Sequence, residues 1–231
     1  MGSVVGILEQ WKEYRSKSRQ RSYEKMGDTL KNLVTTKEQR LEAIEALADS
    51  DDMGLAVPQL MKRFELVVEH GIVDKREKER VFEVLIGHPD VSRPLVCEAV
   101  KSSKRISWPI KLAEKLLPED EYQTLLLAGL NTEAVLFDET VHERNIEILL
   151  ALKEQLTERA VDPAKVLVKS RDEQVRMAAL ECLEALASQF ESARQCLREL
   201  LAEPLTDDNS RFIGLVKAIV SKHNWGASSP K

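Results

Sequence analysis

Four histidines and three cysteines are the side chains with the most chemical potential, and only one histidine stands in a spacing that chemistry uses. In "DETVHE", Asp138 precedes Glu139-x-x-His142-Glu143. Residues i and i+3 share one side of a helix, which is why Glu-x-x-His pairs serve di-metal carboxylate bundles. Those sites need two such pairs and two further carboxylates. The chain has one copy, so the sequence predicts a helix start whose carboxylates complement the dipole. No metal or other cofactor is expected.

The remaining nucleophiles read as packing. Cys97, Cys182 and Cys196 sit in "PLVCEAV", "ALECLEAL" and "RQCLREL" among apolar neighbours at helical spacing. An odd count without C-x-x-C spacing predicts reduced thiols and a cytoplasmic location. G-x-S-x-G, P-loop, G-x-G-x-x-G and H-E-x-x-H motifs are all missing from the sequence, so a non-enzymatic role is expected. Trp108 is an aromatic residue set among cations at a helix start, beside Lys104, Arg105 and Lys111 in "KRISWPIK". Nucleic-acid surfaces combine an aromatic with basic groups, whereas a tryptophan at a helix start also serves to staple it to its neighbour.

Composition selects the elements that must position these residues. With 231 residues, 43% apolar, 32% charged, 5% aromatic, nine glycines and eight prolines, the chain is a poor candidate for a β-rich fold. No apolar run is long enough for a membrane span, and the start lacks the pattern of a secretory signal.

The stretch "SRDEQVRMAALECLEALAS" shows the element that replaces it. Val175, Ala178, Ala179, Cys182, Leu183 and Leu186 fall on one helical face, with Ser170 or Asp172 as the cap. Comparable first helices are predicted near Thr36, Asp74, Ser107, Asp138, Asp172 and Asn209, at intervals of 38, 33, 31, 34 and 37 residues. Second helices fit between them, with Pro94 and Pro163 in the first turn or so and Pro58 slightly further in, where it either starts its helix or kinks it. A recurrence of this kind is the pattern of an α-solenoid.

Asp172-x-x-Val175-Arg176-x-Ala178-Ala179-x-x-x-Leu183 resembles the repeat consensus of bacterial HEAT-repeat proteins. "RLEAIEAL", "KERVFEVL" and "SWPIKLAEKL" follow the same pattern more loosely. The resemblance implies an all-α, right-handed solenoid of about five hairpins over residues 36–223, with capping helices at both ends. Residues 1–35 are expected as a basic, amphipathic capping helix or arm built on Ile7, Leu8, Trp11 and Tyr14, and 224–231 as a disordered tail. Asp172 is read as a cap, Val175 as a core contact and Arg176 as a link to the adjacent repeat.

Charge separates the two helix sets. The first-helix segments carry a net −12 and the second-helix segments a net +4, within a chain of −5. In HEAT solenoids second helices line the concave face, so the resemblance implies a mildly basic inner stripe. Lys62, Arg63, Arg93, Lys101, Lys104, Arg105, Lys165, Lys169 and Arg171, with Trp108, are its candidate partner-binding residues. The expected activity is that of a monomeric scaffold holding a protein or peptide along that stripe. The alternative is a HEAT-like nucleic-acid-binding or DNA-repair protein, which the acidic net charge disfavours.

Overall fold

The computed structural model describes residues 2–133, 138–202 and 210–225, with backbone alone for 2–9 and 12. Among the described residues 80% are helical and none is in a strand. They divide into two compact units, Met1–Pro118 and Glu119–Lys231.

Unit 1 contains α1 (Gly2–Lys31), α2 (Lys37–Ala48), α3 (Met53–Met61), α4 (Gly71–Gly87), α5 (Pro89–Ser102) and α6 (Ser107–Leu116). A 3-10 turn, Lys62–Glu65, follows α3 directly. Thr36 starts α2 through a capping box with Gln39, and the Asp52 carboxylate accepts the Leu55 N–H to start α3. Helices α2, α4 and α6 touch in succession, α3 touches α5, and α1 lies on α2, α3 and the 3-10 turn. Leu30, Ile44, Leu47, Leu60, Leu85 and Leu112 are fully buried, each contributing about 1.5–3 kcal/mol by leaving water.

The segment expected as a cap does two things. Only its carboxyl-terminal third packs, through Tyr23 and Leu30 and through Gly27, where an added Cβ would lie 2.2 Å from Gln59 Oε1. Trp11 and Tyr14, expected to cap the first hairpin, are exposed; the side chains of Ile7 and Leu8 lie outside the described residues. The second helix of the first hairpin is shorter than its apolar run suggests, because α3 tightens into the 3-10 turn at Lys62.

Unit 2 contains α7 (Glu119–Gly129), α8 (Glu139–Gln155), α9 (Val161–Leu167), α10 (Glu173–Ala187), α11 (Glu191–Leu201) and α12 (Ser210–Lys222). The unit boundary therefore falls between α6 and α7, inside the third expected hairpin. Asp138 caps α8 by accepting from the N–H groups of Thr140 and Val141. At the other end of α8, Leu156 adopts φ 47°, the left-handed conformation that usually belongs to glycine at a helix end. Helix α8 lies along α10 over the largest helix contact of the unit, α9 touches α11, and α11 touches α12. The expected disordered tail lies outside the described residues from 226 on. Within it, Trp225 is held: its N–H bonds to the Val220 carbonyl, its carbonyl accepts from Arg198, and its ring stacks on His223 at 4.3 Å.

A recurring device tightens the helix starts in both units. The fourth residue of α2, α10 and α11 is an arginine, and each turns back onto carbonyls of the preceding loop. Arg40 donates to Thr35 at 2.5 Å, Arg176 to Ser170 and Arg171 at 2.9 and 3.0 Å, and Arg194 to Ala187 and Ser188 at 2.6 and 3.1 Å. This corrects the reading of Arg176 as the link to the adjacent repeat: it locks its own connecting loop. The residue of this loop that reaches α8 is Asp172, whose Oδ1 caps α10 at the Val175 N–H while its Oδ2 lies 3.4 Å from His142 Nδ1.

Candidate functional site

Unit 1 holds a cleft of about 180 Å³ between α3 with its 3-10 turn, α5 and the start of α6. Pro58, Met61 and Phe64 form one apolar wall, Leu95 and Ala99 the other, and Pro109 closes one end. Glu65, Glu98 and Arg105 add charge to the lining, and Ser102 and Ser103 add polar groups. The volume is below the roughly 300–1,000 Å³ of pockets that enclose a small molecule, a size that suits a side chain or two of a partner.

The floor is fixed from beneath. Phe64 is 3% exposed and its ring lies 5.7 Å from that of Trp108, at an interplanar angle of 6°. Phe82 of α4 meets the same indole edge-on at 5.9 Å, and the Lys111 ammonium lies 4.8 Å from its centroid. Trp108 thus clamps α6 to α4 and to the 3-10 turn, with each aromatic pair worth about 0.5–1.5 kcal/mol beyond its buried area.

Next to this aromatic stack lies a buried ion network. Glu77 of α4 accepts from Arg40 of α2 through Nε and Nη2 at 2.9 and 3.1 Å, and from Arg63 Nε at 2.8 Å. Arg63 also donates to the Leu66 carbonyl at 3.0 Å and to Asp74 at 2.7 Å. Asp74 in turn accepts from Lys78 at 2.7 Å and from the Val68 N–H at 3.2 Å. Burial is the main reason the Lys78 ammonium sits below the usual lysine range; Asp74 opposes this, and the positive charges of Arg63 and Arg105 reinforce it.

The candidate residues read from the sequence fall into three situations. Arg63 is 0% exposed; it belongs to the buried network and is corrected out of any surface stripe, because its guanidinium is consumed by Glu77, Asp74 and a carbonyl. Lys62, at the same turn, reaches Asp28 of α1 at 3.3 Å. Arg93 is exposed on α5. Lys101, Lys104 and Arg105 are exposed around the α5–α6 loop, beside half-buried Trp108. Among the described residues Arg93, Lys104 and Arg105 make no ion pair. Lys165, Lys169 and Arg171 belong to unit 2; all three are exposed, and Lys165 is paired with Glu199 at 2.7 Å.

Only Arg105, of the candidates, lines the cleft. Pro58, Met61, Phe64, Leu95 and Glu98 were not singled out by sequence reasoning, although α3 carries more apolar residues than one core-facing stripe requires. Elsewhere, burial pushes the Cys182 and Cys196 thiols up to about 12 and about 11, so neither forms a thiolate near neutrality. His142, the histidine with ligand-like spacing, is turned to Asp172. No protein-family model, curated protein or solved structure matches this chain.

Proposed function

We propose that the chain is a HEAT-like helical-repeat module that binds a short apolar segment of a protein partner in the cleft between α3 and α5. The observation that carries this reading is the cleft itself, an apolar floor braced by the Phe64–Trp108 stack and edged by Glu65, Glu98 and Arg105. It opens on the second helices of two successive hairpins, the set that faces the ligand in HEAT-like proteins. The repeat reading is supported by contacts inside each unit: first helices touch first helices, as α2 with α4 and α8 with α10, and second helices touch second helices, as α3 with α5 and α9 with α11.

A displayed peptide library selected on the full chain tests the proposal. Enriched peptides bind with micromolar affinity, and Leu95→Glu, which sets a charge on the cleft wall, weakens them by about tenfold or more. Selection that yields no peptide sensitive to Leu95→Glu overturns it. So does tight binding of duplex DNA that falls steeply with salt and is lost in Lys101→Glu, Lys104→Glu and Arg105→Glu, the signature of the nucleic-acid alternative.

A further inference from the structure

Ahead of Tyr23, the described side chains of α1 reach the rest of unit 1 through one ion pair, with Arg19 Nη1 3.9 Å from Asp52 Oδ2. From Gln10 to Ser22 every described side chain is exposed, and burial starts at Tyr23. Trp11 and Tyr14 are 59% and 68% exposed, one turn apart on the same side. At 3.6 residues per turn their face is rotated by roughly 150° from the one carrying Tyr23, Gly27 and Leu30. A helix seated on its unit by the second face therefore presents the first away from it.

Charge is ordered around the aromatic face. Arg15 and Arg21 flank it on opposite sides, about 70° and 50° from its centre. Both are exposed, and neither makes an ion pair among the described residues. Glu13 lies toward the back, where it pairs with Lys17 at 2.7 Å. Aromatic rings that settle at headgroup depth, flanked by cations and backed by a charged, polar side, form the cross-section of a helix lying in a membrane interface.

We propose that the amino-terminal part of α1 is an anchor that lies flat on an anionic lipid surface, Trp11 and Tyr14 inserted among headgroups and Arg15 and Arg21 reaching lipid phosphates. An in-plane arrangement also suits its composition, since no helix among the described residues is long and apolar enough to cross a membrane. A second copy of the helix is the weaker occupant. Continuing the aromatic face by one and two turns meets Ser18 and Ser22, where a paired helix needs apolar residues.

Co-sedimentation of the full chain with phosphatidylglycerol/phosphatidylcholine vesicles, against phosphatidylcholine alone, tests the anchor. Partition into the anionic vesicles is expected to be on the order of tenfold stronger, and to weaken with salt. The double variants Trp11→Ala/Tyr14→Ala and Arg15→Glu/Arg21→Glu each lose about tenfold, while their thermal midpoints stay unchanged because the replaced side chains are exposed. Vesicle binding that is absent, indifferent to lipid charge, or unaffected by both variants overturns the proposal. Concentration-dependent dimerisation abolished by Trp11→Ala also overturns it, by giving the face to a second copy.

Discussion

Two helix–helix contacts, α2 with α4 in unit 1 and α8 with α10 in unit 2, use opposite chemistry. Where α2 meets α4 in unit 1, the contact is organised around buried charge, with Arg40 and Arg63 converging on Glu77, which is 3% exposed. Where α8 meets α10 in unit 2, the buried set is Ile148, Leu149, Leu152, Ala178, Ala179, Cys182 and Leu183, with His142 and Asp172 meeting at one end. Small residues on α10 let α8 approach closely, and the middle of the contact is apolar. In unit 1 the 3-10 turn after α3 brings Arg63 inward, and the charge must be answered. The same two-helix arrangement is thus stabilised by area in one unit and by pairing in the other, and the two should fail differently.

The widest gap between them is expected at Glu77. Glu77→Ala leaves the Arg40 and Arg63 guanidiniums buried without their shared acceptor, a loss of about 3–5 kcal/mol. Chemical denaturation followed by Trp108 fluorescence, in a Trp11→Phe/Trp225→Phe background, measures it. Replacing all three residues by apolar ones of similar volume should restore much of the loss, because the penalty lies in the orphaned charge. In unit 2 the corresponding damage comes from a cavity: Leu149→Ala, at a fully buried site, costs about 2–5 kcal/mol, and no second-site change of charge repairs it. A Glu77→Ala protein as stable as the parent would erase the distinction.

Acid sharpens the comparison with a smaller effect. Burial alone would raise the Asp74 carboxyl, but bonds from Lys78, Arg63 and the Val68 N–H outweigh it and hold the group below the usual carboxylate range. A carboxyl lowered in the folded state contributes stability above its unfolded pKa, about 3.9, and loses it as pH falls toward the folded value. The denaturation midpoint of unit 1 should therefore drop as pH is lowered from about 5 to about 3. In unit 2 burial likewise raises the Glu184 carboxyl, and bonds from His223 and Lys222 bring it below the ordinary range. That group joins α10 to the end of α12 and the residue after it, away from the α8–α10 contact. Trp225, stacked on His223, reports its loss separately, and the α8–α10 contact should persist.

Unit 2 was the more legible of the two for the same reason. The stripe from Val175 to Leu186 is local, and so are the caps at Thr36, Asp138 and Asp172; each helix start could be placed within a few residues because the information sits inside one turn. The short α9, which carries Pro163 in its first turn, lies where a second helix was expected. The Arg63 burial was not, because "LMKRFE" reads as an ordinary charged end to a helix. What buries that side chain is Glu77, 14 residues on, and Arg40, 37 residues before Glu77. The cleft depends likewise on α3, α5 and α6 converging, and no periodicity announces a meeting of three helices. Charge sums by segment treated every cation as solvent-facing, and so counted Arg63 and paired Lys165 as part of a stripe.

The smallest expected effect is the one the units share. On the outside of each contact a single bridge joins the same pairs of helices: Arg80 to Glu45 at 2.7 Å between α4 and α2, and Lys153 to Glu181 at 3.2 Å between α8 and α10. The Arg80 and Glu45 side chains are 39% and 42% exposed, those of Lys153 and Glu181 33% and 49%. Hydrogen bonding to Arg80 holds the Glu45 carboxyl below its ordinary range, yet water and salt screen so open a pair. Glu45→Gln and Glu181→Gln should each cost only about 0.2–1 kcal/mol, and less in high salt. Glu45 and Glu77 contribute carboxylates to the same α2–α4 contact and differ in depth. If Glu45→Gln costs as much as Glu77→Ala, depth is not what separates the two units, and the buried network in unit 1 loses its special standing.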